Sequence, residues 1–428
     1  MNRIKNNPAR PADTTAAGPL FSTRKKKTMI TNKLISIAVA AAMMAAGCSR
    51  DYNDDIRDEY GSLLDTPSDD TPSDDVEHHF DPTLVMGADI SLLPSYEAAG
   101  SVYRDAAGNA SDALTLFAQA SMTTMRVRLF VDPTGTDKAV VQDLDYVTSL
   151  CQRLVGAGFG VMLDFHYSDT WADPVKQYKP AAWEGLTGSD LTDRVYTYTK
   201  DCLEHLKAAG VVPTHIQVGN EITSGMIWED GRISYGSDTN WSTFAALFNS
   251  GAKACREVCP DAKVILHIER PGKLDLQKQF IQRAMAFNFD FDVLGLSYYP
   301  IWSDHGTIEA FSATLDYYAQ TYPDIAVMVC EFSYNYAWYP TDATFDYTSV
   351  YPATAEGQRL FTADLIAMLR THSNVTGLFW WFAEENEKND AGYTGILSNW
   401  INRGLFDNTT GCALPAMDEL SRFLEIRE

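Results

Sequence analysis

Leu144-Asp-Tyr-Val-Thr-Ser-Leu-Cys-Gln-Arg-Leu-Val-Gly-Ala-Gly-Phe-Gly-Val-Met-Leu-Asp-Phe-His-Tyr-Ser-Asp-Thr-Trp171 carries two periodicities in one stretch. Leu144, Val147, Leu150, Cys151, Leu154 and Val155 recur on one face at helical spacing, which predicts an amphipathic helix. Residues 159–165 then form a short apolar run, which predicts a strand, and the run opens into Asp164, His166, Tyr167, Asp169 and Trp171. Helix, strand and a polar, aromatic strand end make one unit of an α/β fold.

The unit recurs from residue 82 onward. Strands are expected at 84–89, 124–130, 159–165, 214–218, 263–268, 292–298, 325–330 and 376–382. Helices are expected near 110–120, 138–157, 188–209, 241–258, 273–288, 307–321, 355–372 and 414–427. Eight such units without an internal break argue for a single (β/α)8 TIM barrel over a doubly wound open sheet. No internal repeat fixes the count, so a nine-unit or mixed arrangement is the alternative.

A barrel gathers its chemistry at the C-terminal ends of its strands. Those ends read Gly87-Ala-Asp89, Arg126-Val-Arg128, Asp164 to Trp171, Gly219-Asn-Glu221, His267-Ile-Glu269, Ser297 to Trp302, Cys330-Glu331 and Trp380-Trp381. Carboxylates, imidazole, guanidinium and aromatic rings together suit a flat-faced polar ring. Glu221 and Glu331 each end an apolar strand without a flanking charge, on strands four and seven, roughly across the barrel. One such Glu is an ordinary strand-end ion pair. Two, with Asn220 adjacent and aromatics around them, fit a glycosidase in which one carboxyl protonates the leaving oxygen and the other attacks the anomeric carbon.

The chain has 428 residues, 45% hydrophobic and 21% charged, enough to bury a sizeable core, which excludes disorder or a disulfide scaffold for the whole. Its 34 basic and 57 acidic residues give a net charge of -23, which repels nucleic acid and anionic lipid. Residues 82–428 alone hold 24 basic and 44 acidic residues, so a neutral ligand fits the globular part best. Residues 1–47 read as a signal region: Arg24 to Lys27, then Met29 as a plausible true start, then a run from Leu34 to Ala46 too short to span a bilayer. Ala45-Ala-Gly-Cys48 resembles a lipobox, which makes Cys48 the lipidated first residue of the mature chain. Residues 48–81, rich in Asp with a repeated Asp-Thr-Pro-Ser-Asp-Asp, read as a disordered acidic linker, and residues 82–428 as the catalytic domain. An acidic stretch after the lipid Cys resembles a surface-export signal, so the expected address is the outer-membrane surface of a Gram-negative cell, with the membrane met only through that lipid. Cys151, Cys202, Cys255, Cys259, Cys330 and Cys412 match no zinc spacing and read mostly as buried thiols.

Asp164-Phe-His-Tyr-Ser-Asp-Thr-Trp-Ala-Asp-Pro174 resembles the signature of the arabinogalactan endo-β-1,4-galactanases, glycoside hydrolase family 53. Gly87 to Ser91, Arg126 to Pro133, Val218 to Ile222, Gly295 to Pro300 and Leu405 to Asp407 extend the resemblance in order. It implies internal cleavage of β-1,4-galactan with retention, Glu221 as acid/base, Glu331 as nucleophile and no cofactor. In that reading Arg126 keeps Glu331 ionised and Asn220 bonds a sugar 2-hydroxyl. His166 and Tyr298 orient the nucleophile or contact hydroxyls, and Trp381 floors the cleavage subsite. Trp171, Tyr299 and Trp302 belong to outer subsites, with Asp89 grouped among the substrate contacts. Arg128, placed on the opposite strand face, reads as structural, and Asp164 and Asp169 as loop braces.

Two departures from the family pattern stand out. Strand eight continues Trp381-Phe-Ala-Glu-Glu-Asn386 where relatives have Glu-Pro-Ala-Trp. The loop from Phe332 to Trp338 lacks the Asp/Asn/His run that holds calcium in some relatives, so no metal is expected there. The acidic run Glu384-Glu-Asn-Glu387 and Asp390 reads as a solvated charged loop, with a hard cation as the lesser reading. The rival functions are a mannanase or glucanase of the same clan, against which residues 164–174 argue, and a non-catalytic glycan-binding lipoprotein, against which the paired carboxylates argue.

Overall fold

Eight parallel strands close into a barrel: Val85–Asp89 (β1), Thr124–Leu129 (β2), Gly160–Phe165 (β3), His215–Val218 (β4), Lys263–Ile268 (β5), Val293–Tyr298 (β6), Ala326–Phe332 (β7) and Val375–Trp381 (β8). Each pairs with its neighbours in sequence, and β8 pairs with β1, so no edge is left open. The computed structural model describes residues 80–397 and 400–427. The signal region, Cys48 and most of the acidic linker lie outside the described residues.

Helices follow the strands as the 3.6-residue pattern demands: Ala113–Gln119, Leu144–Gly156, Gly188–Ala208, Trp241–Val258, Leu274–Ala286, Ile308–Thr321 and Ala355–Arg370. Several starts are fixed by a side-chain cap, as where Asp143 accepts the Tyr146 N–H at 2.8 Å, a contact that contributes about 1 kcal/mol. The helix expected over 414–427 is instead a single turn, Ala416–Glu419, running into a 3-10 turn, Leu420–Phe423. Leu414, Met417, Leu420 and Phe423, all buried, recur every three residues, which is the 3-10 period and not the α period. The last turn ties back to the segment that leads into β1, where the Asp81 N–H donates to the Leu424 carbonyl at 2.7 Å.

Two apolar compartments position the site. A large cluster packs the helices on the outer face of the barrel. Inside, Met162, Ile265, Val293, Met328, Cys330 and Phe379 form a separate plug. The polar strand ends stand on that plug. Gly87 is required where β1 meets β2, because a Cβ there would lie 1.6 Å from the Thr124 carbonyl oxygen. On β7 the register slips: Leu296 is opposite Val329, but Ser297 is opposite Glu331. This bulge lets Cys330 face the plug and its immediate neighbour Glu331 also turn inward, which strict alternation forbids.

The six cysteines of the domain carry free thiols, buried except for Cys412. No helix among the described residues is long and apolar enough to cross a membrane.

Candidate active site

Arg126 on β2 is fully buried and organises the top of the barrel. Its Nη1 lies 2.7 Å from Asp89, and its Nη2 lies 2.8 Å from Asp164 and 2.7 Å from Glu331. The same guanidinium donates to the side-chain oxygens of Asn220 and Gln217. Gln217 in turn donates to Asp164 at 2.6 Å, and His267 bridges from Gln217 to the Ser297 hydroxyl. Such a network survives burial because nearly every member is paired.

Glu331 enters this network from the bulge on β7. Arg126 meets its Oε1, and the Tyr299 hydroxyl donates to its Oε2 at 2.7 Å. Burial raises its pKa, while Arg126 and Tyr299 pull against that rise. Glu221 leaves β4 in the left-handed region, with φ 46° and ψ 50°, a costly conformation for a Glu that aims it over the barrel mouth. Among the described residues no cation pairs with it. Burial first, then the charges of Glu331 and Glu269, hold its pKa well above the carboxylate range. In a pair so arranged the proton stays on Glu221 and the negative charge on Glu331.

Both carboxyls line one cavity of about 760 Å³. His166, Asn220, Trp171, Tyr299, Trp302 and Trp381 line it with them. The Trp171 and Trp381 rings stand 6.4 Å apart, and Trp302 faces Trp400 at 5.9 Å. Asn220 is clamped at both ends, its amide donating to the Ala172 carbonyl at 2.8 Å. The His166 Nδ1 accepts the Ala172 N–H at 3.1 Å, its Nε2 lies 3.1 Å from Asp164, and burial lowers its pKa, so the ring is neutral. Asp169 braces the loop, accepting from the Asp132 and Ala181 backbones.

Other placements correct the sequence reading. Tyr298 points away from the cavity, its hydroxyl donating to the Gly306 carbonyl and its ring packed on Phe311 and Phe361. Since Ser297 faces inward, the next inward residue is Tyr299, which takes the contact with the nucleophile expected of Tyr298. Asp89 and Arg126 have no exposed surface and lie beneath the cavity, so they support Glu331 and are not substrate contacts. Arg128 shares the face of Arg126, because residues two apart on a strand point the same way. It also binds Asp89, at 2.6 Å, and it lines the cavity between Trp171 and Phe382.

Of the acidic run after β8, Glu384 to Glu387 is not solvated, whereas Asp390 is exposed as expected. Glu384, Glu385 and Glu387 are fully buried. Glu385 accepts the backbone N–H groups of Asn402, Arg403 and Gly404, and Glu387 accepts those of Ile396 and Leu397 together with the Tyr96 hydroxyl. These carboxylates stitch the loop over β8 to the wall of the cavity. Among the described residues no group of three or more His, Cys, Asp or Glu could hold a metal ion. The sequence reading gave no role to Glu269, named only as a strand end, and none to Arg270, His305 and Trp400; all four line the cavity. An apolar strand precedes Glu269 as it does Glu221 and Glu331, but the adjoining charge of Arg270 sets it apart from them in sequence.

The sequence profile of glycosyl hydrolase family 53 matches residues 85–420. The arabinogalactan endo-beta-1,4-galactanase of Thermothelomyces thermophilus is 32% identical over 69% of this chain and 88% of its own length. That of Cellvibrio japonicus is 32% identical over 77% of this chain and 89% of its own length. The GH53 catalytic domain of Ignisphaera aggregans superposes with a TM-score of 0.72 at 31% identity, covering 81% of this chain and 99% of that domain. With a closed barrel, two unlike carboxyls at the ends of β4 and β7, and a profile match spanning nearly all of it, the chain belongs to glycosyl hydrolase family 53.

Proposed function

We propose that the protein hydrolyses β-1,4-galactan internally, with retention of anomeric configuration. The observation that carries this reading is the asymmetry of the two carboxyls: Glu331 is clamped by Arg126 and Tyr299, whereas Glu221 meets no counter-ion among the described residues and keeps its proton. Glu331 attacks the anomeric carbon as Glu221 gives its proton to the departing glycosidic oxygen, leaving a glycosyl ester on Glu331. Glu221, now a carboxylate, takes a proton from water, the water oxygen attacks the same carbon, and Glu331 is released. The two residues supply acid, nucleophile and base, so the cycle as written needs no cofactor.

The substrate follows from the names of the relatives and from the block 164–174, whose His166 and Trp171 line the cavity. Trp171, Trp302 and Trp381 offer faces on which the apolar side of a sugar ring can stack. At the N-terminus, the reading adds lipidation of Cys48 and an address on the outer cell surface, with residues 49–81 as the tether.

The test is product release from unbranched β-1,4-galactan beside β-mannan and β-glucan, with Glu331→Ala as control and the first-formed anomer read by NMR. Oligosaccharides of β configuration from galactan alone support the proposal. Cleavage of mannan or glucan instead overturns the substrate, and galactan binding without cleavage makes the protein a glycan-binding lipoprotein. Metabolic labelling with a fatty acid, lost in Cys48→Ala, tests the anchor.

A further inference from the structure

Beside Glu221, on the next strand round the barrel, β5 ends in Glu269 and Arg270. The Glu269 side chain is only 2% exposed; its Oε2 meets the Arg270 Nε at 2.9 Å and its Oε1 has no partner. The Glu269 N–H donates to the hydroxyl of Thr223, in the turn that directly follows Glu221. Arg270 stands in the left-handed region at φ 63°, a conformation that a long side chain rarely adopts. It is held there because its carbonyl accepts the Lys273 N–H at 3.0 Å and the Gln277 side-chain amide at 3.1 Å. The result is a guanidinium whose Nε is spent on a buried carboxylate, with Asp304 3.9 Å from the same nitrogen, and whose side chain lines the cavity.

Position decides what that fork meets. Glu331 lies two strands further on, past β6, so Arg270 is on the acid's side of the cut and away from the nucleophile. The proton of Glu221 goes to the oxygen of the departing sugar, so the groups beyond Glu221 face that sugar. Building on the function proposed above, we propose that Arg270, fixed by Glu269, binds hydroxyls of the sugar on the leaving-group side. Arg270 is the binding residue and Glu269 a positioning residue. A strained backbone and a buried carboxylate that together fix one arginine in the wall of a cavity are the marks of a site built for a ligand.

The experiment uses an aryl β-galactobioside as donor, so that the glycosyl-enzyme forms without a sugar in the leaving-group subsite. Added galactobiose then competes with water for that intermediate. Glu221 is the base for both acceptors, so any change in its acidity cancels in the ratio of transfer to hydrolysis. Losing hydrogen bonds from a charged donor predicts that Arg270→Met lowers this ratio roughly tenfold or more at fixed galactobiose. Glu269→Gln lowers it in the same direction, and Arg270→Lys restores part of it. An unchanged ratio in Arg270→Met overturns the proposal, whatever happens to the overall rate. If the wild type cuts another β-glycan, the substrate reading fails, and the ratio is measured with the aryl glycoside and disaccharide of that glycan. An enzyme that cuts none overturns both.

Discussion

Tyr299→Phe removes one atom from the site and nothing from its packing. The Tyr299 ring sits edge-on to Trp381 at 5.9 Å and to Trp400 at 5.6 Å, and these contacts hold the phenyl ring in place. What is lost is the hydroxyl that donates to Glu331 Oε2 at 2.7 Å. A hydrogen bond to a charged group contributes about 1.5–3 kcal/mol, and 1.36 kcal/mol is one pKa unit, so the Glu331 pKa rises by about 1–2 units. The sign follows from which form the phenol favours: it donates to the carboxylate, so its loss favours the protonated acid. Catalysis requires the carboxylate, so the acidic limb of kcat/KM against pH moves upward. One pH unit below the wild-type midpoint the variant runs about 10–100 times slower, and well above the limb the two profiles converge. The assay is reducing-sugar release from galactan across the pH range, with Tyr298→Phe as the internal control, whose hydroxyl donates to the Gly306 carbonyl and not to Glu331. An acidic limb that stays in place in Tyr299→Phe, or moves equally in Tyr298→Phe, would refute the assignment of Tyr299 as the donor to the nucleophile.

Asp89→Asn leaves Arg126 and Arg128, both fully buried, without the anion they share, which costs about 3–5 kcal/mol and lowers the denaturant midpoint sharply. Gly87→Ala places a methyl 1.6 Å from a backbone oxygen that cannot step aside, so a loss of at least about 3 kcal/mol and poor soluble yield are expected on expression. His215, buried at the foot of β4, has its pKa pushed down to about 4, chiefly by burial. The unfolded chain takes up that proton first, so the stabilisation is present above about pH 6.5 and is lost as pH falls toward 4. Urea unfolding of wild type against His215→Gln between those values shows a shallower pH slope in the variant, by up to about 3 kcal/mol over the window.

The barrel was legible because each strand was an apolar run and each helix a striped one, although only the closed pairing of β8 with β1 fixes the count at eight against a nine-unit or mixed arrangement. Glu221 and Glu331 were legible for a different reason, as lone charges at the ends of apolar strands. Parity was the information left unused: Arg126 and Arg128 must share a face, and an inward Ser297 makes Tyr299, not Tyr298, the inward tyrosine. Parity alone would nevertheless have failed at Glu331, because Cys330 also faces inward and only the register slip between β6 and β7 reconciles the two. A bulge depends on how two strands pair, and that is written in neither strand alone. The acidic run after β8 was misread for a related reason. Three carboxylates in four residues look solvated until the backbone N–H groups of 402–404 and of 396–397 are found pointing at two of them, and those donors lie up to nineteen residues away. Glu269 shows where sequence stops. It too follows an apolar strand, and only the adjoining charge of Arg270 separates it in sequence from Glu221 and Glu331, so pattern alone does not assign it a role. What ranks them is the neighbour each meets in space: Arg126 and Tyr299 for the nucleophile, no cation for the acid, and Arg270 for the third, which leaves Glu269 a carboxylate that positions an arginine.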